Sequence, residues 1–285
     1  MTAQFPVFDG HNDTLLNLYV PERSQNRSFF DRSEIGHIDL PRAREGGLAG
    51  GFFAVFAPNP PEQRTMTPNR YPGSERSDGN QFGYAIPLPQ PLKRGYATAS
   101  VNGMVRLLYQ LEADSGGDVK IVHAADEIEA CLASDTLAIL LHFEGAEAID
   151  PQLDALHVYH AAGLRSLGLV WSRNNAFGHG VPFMYPGGPD IGPGLTDAGK
   201  ALVQECNLLG VMVDLSHLNE AGFWDVAGLT SAPLVATHSN AHALCPSPRN
   251  LTDKQLNAVA ESNGVVGLNY HIAFLRADGK LEPTT

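Results

Sequence analysis

Cysteine is scarce in this sequence: Cys131, Cys206 and Cys245 stand far apart, and no two form a CxxC pair. That spacing excludes a disulfide framework and a cysteine zinc knuckle. Basic residues are also in short supply. Nineteen Lys and Arg face 31 Asp and Glu, a formal charge of −12, so neither nucleic acid nor an anionic membrane, both of which need clustered cations, is an expected partner. No apolar run reaches the roughly 18 residues of a membrane span. The start, MTAQFPVFDGHND, lacks the basic and apolar regions of a signal peptide. Together these absences predict a soluble protein of a reducing compartment, the cytoplasm.

Glycine and proline are plentiful, at 29 and 20 of 285 residues, and hydrophobic residues make up 43%. The first pair implies many turns and at least one long loop; the second excludes disorder by composition. Short apolar runs alternate with amphipathic stretches. The expected strands are Pro6–Asp13, Ala49–Phe56, Thr136–Glu144, Leu164–Trp171, Gly210–His217, Pro233–Ser239 and Val265–Tyr270. Helical stretches include Ser100–Leu111, Asp154–His160, Thr196–Leu209, Glu220–Ala227 and Thr252–Ser262. Thr196 and Thr252 read as N-caps, each followed by an acid, and Gly210 as a C-terminal stop.

Such alternation predicts βαβ units around a parallel sheet. Several runs end in a polar or ionisable residue, where a (β/α)8 TIM-type barrel builds its active site. No GxGxxG follows a strand, which argues against a doubly wound dinucleotide fold. The expectation is therefore an α/β barrel forming a single domain over 1–285. Two segments interrupt it: a long loop or lid at 58–95, and the shorter GHGVPFMYPGGPDIGPG at 178–194.

Ionisable residues collect at the strand ends. His11 and Asp13 lie two apart, so both side chains leave one face of a strand. Glu144 ends the strongly apolar LAILLHFE, where a lone buried charge would be very costly. His142, two residues earlier, is either a further ligand or a residue filling the barrel below. Glu147 is expected in the loop. His217 and His238 end two further runs, VMVDLSH and PLVATH. One such histidine is more often a core residue than a ligand, but barrel strand ends converge on one cavity. Five ligand-type residues there suit two ions roughly 3.5–4 Å apart, sharing a carboxylate and a bridging hydroxide. His179 sits in the second loop, within possible reach of the cavity; His271 is a weak candidate, and His242 belongs to the turn after His238.

At these residues the sequence resembles the membrane (renal) dipeptidase family of zinc-dependent barrel hydrolases. The stretches that carry the resemblance are DGHNDT, LLHFEGAEAI, GLRSLGLVWSRNNAFGHG, GLTDAGKALVQECNLLGVMVDLSHL, APLVATHSNAHALCPSPRNLTD and GVVGLN, in order from residue 7 to about 270. The resemblance implies two Zn2+ per chain: His11 and Asp13 on one, Glu144 bridging, and His217 and His238 on the other. It implies a dipeptide substrate whose carboxylate is held by Arg249, a role that suits a planar guanidinium. A homodimer is implied by the family alone.

Two departures set further expectations. Some members carry His-Ser-x-Asn on the fourth strand; here Trp171-Ser172-Arg173-Asn174 stands instead, and His179 is expected to supply the missing oxyanion donor. The family's eighth strand carries Gly-x-Asp-Phe-Asp-Gly. No such motif occurs, and Asp278-Gly279 is a poor substitute. The expectation is a barrel truncated after its seventh strand, either a fragment of a longer protein or one whose last strand is replaced. Two alternatives stay open: another amide hydrolase acting on N-acyl amino acids or cyclic amides, and an inactive metal-binding fragment.

Overall fold

The computed structural model describes residues 5–63 and 84–276. Residues 64–83 of the expected lid and the Asp278-Gly279 pair lie outside the described residues. Ten strands follow in chain order: β1 (Val7–Asn12), β2 (Leu48–Val55), β3 (Tyr84–Ala85), β4 (Val119–Ile121), β5 (Leu137–Glu144), β6 (Ser166–Gly168), β7 (Met184–Tyr185), β8 (Met212–Asp214), β9 (Val235–Ala236) and β10 (Val265–Val266). The main sheet runs β1-β2-β5-β6-β8-β9-β10, entirely parallel, with β4 added beside β5. These are the seven expected strands of a curled (β/α) barrel wall. Among the described residues the wall stays open between β1 and β10.

Strand β5 is the spine. Seven of its eight residues are buried, which is why LAILLHFE reads as a continuous apolar run rather than an alternation. It pairs with β2 over six residues and hands on to β6 at His142–Glu144. Helices cover the outer face: Arg94–Asp114, Asp154–Ala161, Asp197–Leu209, Glu220–Leu229 and Asp253–Glu261. Their ends follow local chemistry. Thr196 accepts from the Gly199 amide, Thr252 and Gln255 form a reciprocal capping box, and Gly210 stops its helix at a φ of 69°. Three-residue β4 escaped sequence reading, being too short to show a period between the polar turns that flank it.

Strand ends are shorter than the apolar runs suggest. After β6 the chain turns at Trp171–Arg173, where the Arg173 amide reaches the Trp171 carbonyl at 2.6 Å. After β8 the Asp214 side chain takes the Ser216 amide and ends the ladder. In β1 the register with β2 slips between Asp9 and Asn12, a bulge that re-aims the residues it contains. Antiparallel β3 and β7 join the two long loops to each other.

Gly10 in β1 and Gly267 just beyond β10 both press against the Thr237 carbonyl, where an added Cβ would overlap it. Gly10→Ala is expected to cost about 1–3 kcal/mol, the usual penalty of overpacking, read as a lower urea midpoint at unchanged m. Gly95→Ala serves as the control. Nothing lies within 4 Å of its new methyl in the helix Arg94–Asp114, so that variant should gain about 0.4–1 kcal/mol.

Candidate metal centre

The open end of the wall holds a cavity of about 1100 Å³, lined among others by His11, Glu144, His217, His238 and Arg249. Four of the side chains meet at one carboxylate oxygen. Glu144 Oε1 lies 2.9 Å from His217 Nε2, 3.4 Å from His238 Nε2 and 3.8 Å from His11 Nε2. The two imidazole nitrogens of His217 and His238 are 3.1 Å apart. Ligand atoms on a tetrahedral zinc at 2.0–2.1 Å stand roughly 3.3 Å from one another, and the spacings among Glu144, His217 and His238 lie close to that value. Asp13 completes the sequence-derived set at 3.8 Å from His11 Nε2, with its side chain 46% exposed. It lies one residue past β1, at the N-cap position of the helix Thr14–Tyr19, yet makes no capping hydrogen bond.

Each donor is aimed by the chain around it. Glu144 is the last residue of β5. The bulge in β1 turns His11 inward, where its ring stacks on His238 at 4.0 Å. His217 follows β8 with a φ of 68°, a left-handed conformation that costs a non-glycine residue about 1–3 kcal/mol. Its carbonyl is held by the Val181 amide, which ties the second loop to the site.

Burial governs the electrostatics. It pushes the Glu144 carboxyl up to about 7 and drives His217 and His238 well below the usual imidazole range. Burial also pulls His11 down, but the Glu144 and Asp13 carboxylates outweigh it and raise that imidazole to about 9. Near neutral pH, His217 and His238 are therefore neutral donors facing a carboxyl at the edge of ionisation.

The tautomer of His238 can be read from its partners. Asp214 Oδ2 accepts the Thr237 hydroxyl proton at 2.6 Å, and Thr237 Oγ1 lies 2.8 Å from His238 Nδ1. With its one proton already committed, Thr237 can only accept from Nδ1–H. That leaves Nε2 as a bare lone pair pointing at Glu144. That lone pair faces His217 Nε2 at 3.1 Å and Glu144 Oε1 at 3.4 Å, and imidazole with carboxylate is a donor set that suits zinc.

Below this layer is a second polar one. His142 is fully buried, with Nδ1 2.8 Å from Ser166 Oγ and Nε2 3.7 Å from Asp214 Oδ2. Of its two sequence readings, it is the residue filling the barrel; burial holds it down at about 4. Glu147 is buried, and pairs with the fully buried Arg173 at 2.9 Å. Arg173 also reaches the Ala57 carbonyl and Asn59 Oδ1, with its guanidinium 5.1 Å from the Trp171 ring.

Arg249 is 3% exposed, donates to the His238 carbonyl at 3.1 Å and lies 5.6 Å from the Phe274 ring. Burial lowers its guanidinium to about 10, so it stays cationic at neutral pH. His271 lines the cavity. His242 instead faces the Gly187 carbonyl at 2.9 Å.

The structure does not bring His179 to the cavity, contrary to expectation. Its carbonyl takes the Asn219 amide at 3.2 Å, and that anchoring leaves its half-buried side chain outside the residues that line the cavity. Asp214, Thr237, Ser172 and Arg173 were missed by sequence reasoning. Asp214 alone had a signal, ending the run VMVD as Glu144 ends LLHFE. Hydroxyl partners carry no signal.

Removing the Arg173 guanidinium as Arg173→Met strands a buried carboxyl, at a cost of about 3–5 kcal/mol. Burial already raises the Glu147 pKa despite Arg173 beside it, so its folded form holds the proton more tightly than the unfolded chain. Stability from such a group falls as pH rises through the raised value. The deficit of the variant should therefore be larger at pH 8 than at pH 5, measured by urea unfolding at both.

A family model described as membrane dipeptidase (peptidase family M19) matches residues 1–284. An uncharacterised protein from the PQQ-III 3′ region of Acinetobacter calcoaceticus is 40% identical over 282 residues, spanning 98% of this chain and 85% of its own. Dipeptidase aclJ of Aspergillus oryzae is 29% identical over 274 residues, and the match covers 94% of this chain but 58% of that one. Among solved structures, a metallopeptidase from Rhodobacter sphaeroides, liganded with a phosphinate mimic of the dipeptide L-Ala-D-Ala, is similar. It shows 47% identity and a TM-score of 0.86, over 98% of this chain and 77% of its own.

Proposed function

The chain belongs to the membrane dipeptidase family, and on that premise we propose that it hydrolyses dipeptides at a centre of two zinc ions. His11 and Asp13 would hold one ion, His217 and His238 the other, and Glu144 would lie between them. The convergence of three imidazoles on one buried carboxylate oxygen carries this reading. Bound there, the metal supplies Lewis-acid polarisation of the scissile carbonyl and an activated water.

The chain's own groups do the rest. Arg249 is a buried cation with no carboxylate within ion-pair distance among the described residues, and a planar guanidinium grips a carboxylate in a bidentate fork. It would take the carboxyl end of the substrate and orient the peptide bond toward Glu144. Trp171, Phe183 and Phe274 line the same cavity and exclude water from that contact, which strengthens it. The phosphinate held by the Rhodobacter relative supports dipeptides with a D-residue at the carboxyl end. No helix among the described residues is long and apolar enough to cross a membrane.

Elemental analysis of the zinc-loaded chain should find two ions per chain, and their removal by a chelator should abolish hydrolysis of L-Ala-D-Ala. A loaded chain that cleaves N-acyl amino acids but leaves L,L and L,D dipeptides intact would move the reading to another amide hydrolase. Hydrogen bonds to a charged group contribute about 1.5–3 kcal/mol. Arg249→Met should therefore lower kcat/KM for dipeptides roughly 10- to 150-fold, and erase the preference for a free dipeptide over its carboxyl amide.

A further inference from the structure

We infer that Asp214, acting through the Thr237 hydroxyl, is a positioning residue that locks His238 in its Nδ1–H tautomer and so keeps Nε2 open to a cation. This rests on the reading of His238 as a metal ligand.

Asp214 is 1% exposed at the end of β8. Three donors converge on it: Oδ1 takes the Ser216 amide at 3.0 Å and the Thr237 amide at 2.8 Å, and Oδ2 takes the Thr237 hydroxyl. A hydroxyl has one proton and two acceptor lone pairs. Once its proton is given to Asp214, it can only accept from the imidazole. The geometry is rigid at both ends, since the His238 amide donates to Ser216 Oγ at 3.1 Å and the Thr237 carbonyl is flanked by Gly10 and Gly267.

The neighbouring ligand candidate has no such lock. His217 Nδ1 meets Ser172 Oγ at 2.8 Å, but no further acceptor for that hydroxyl is found among the described residues. Ser172 can turn to serve either tautomer. A buried aspartate therefore commits one of the two adjacent imidazoles and leaves the other adjustable. With both Nε2 atoms 3.1 Å apart, fixing one lone pair is enough to forbid a proton-sharing arrangement in which His238 is the donor.

Asp214→Asn tests this because the backbone dictates how the amide must sit. Two backbone donors hold its oxygen at the Oδ1 position, so its nitrogen takes the Oδ2 position and donates to Thr237. The threonine proton then goes to His238 Nδ1, and the imidazole carries its own proton on Nε2. In the metal-free chain, nitrogen-resolved imidazole spectra should show His238 changing from Nδ1–H to Nε2–H. Competition with a chromophoric chelator should show one zinc bound 10- to 100-fold more weakly, the usual effect of removing an outer partner of a metal-binding histidine. Thr237→Val should weaken zinc similarly and Thr237→Ser should restore it, which a purely structural role for the hydroxyl-bearing residue would not predict for the tautomer.

Unchanged His238 spectra together with zinc affinity within twofold of wild type, in both Asp214→Asn and Thr237→Val, would overturn the inference. The His238→Ala variant separates the two levels. If it loses an ion while those two variants do not, only the relay falls. If it binds zinc as tightly as wild type, the ligand reading falls and the relay with it.

Discussion

Glu144 is the constraint around which the rest of the molecule is arranged. It closes a strand buried on both faces and is itself only 5% exposed, and an ionised carboxylate in such a place is tolerated only if compensated. Protons alone compensate it poorly. Burial raises its own affinity for a proton and lowers that of His217 and His238, so those two imidazoles are neutral when it ionises, and the charge on His11, 3.8 Å away with its pKa raised to about 9, offsets it only in part. A divalent cation removes the conflict, since it draws charge density from neutral nitrogens and carboxylate alike. The need of the fold for a counter-charge and the need of the chemistry for a metal are then one requirement.

The layer beneath follows from that. His142, Ser166, Asp214 and Thr237 put polar groups into the barrel interior, where an unpaired one costs about 1–3 kcal/mol. Hydroxyls resolve this because a side chain with one donor and two acceptor sites can be set by whichever neighbour is rigid. Three histidines, His142, His217 and His238, each place Nδ1 2.8 Å from a serine or threonine oxygen. Orientation of His238 is thus delegated downward, through Thr237, to an aspartate fixed by backbone amides. The second loop is bound to the same frame through Val181 and Asn219, which sets Phe183 into the cavity wall.

Much of this was legible in the sequence, because a parallel barrel writes itself locally. Apolar runs marked the seven strands of the wall, and a polar residue at the end of several of them marked its mouth. Thr196, Thr252 and Gly210 announced helix ends by chemistry that acts within four residues. Pairings across long separations were not legible. Arg173 is satisfied by the Ala57 carbonyl, 116 positions away, and nothing near either residue says so. Asp214 was passed over for a different reason: its neighbour His217 looked more like a ligand, and the role of the aspartate depends on Thr237, which carries no signal of its own. The expectation for His179 rested on chain distance from Trp171, and chain distance says nothing about which way an anchored loop turns its side chains.

The two arginines buried among the described residues show how compensation assigns a role. Arg173 is fully enclosed, but Glu147, two oxygen acceptors and two aromatic faces leave its charge neutralised close at hand. These partners let it join the ends of β2, β5 and β6. Arg249 is enclosed almost as well, yet among the described residues its one side-chain hydrogen bond goes to a carbonyl and no carboxylate lies within ion-pair distance. The countercharges that act on it, Glu144 and Asp214, belong to the metal centre and its support. Of these two buried guanidinium groups, Arg249 is therefore the one whose charge is left for a carboxylate on the proposed reading, and its place beside His238 would then set the direction of a bound dipeptide.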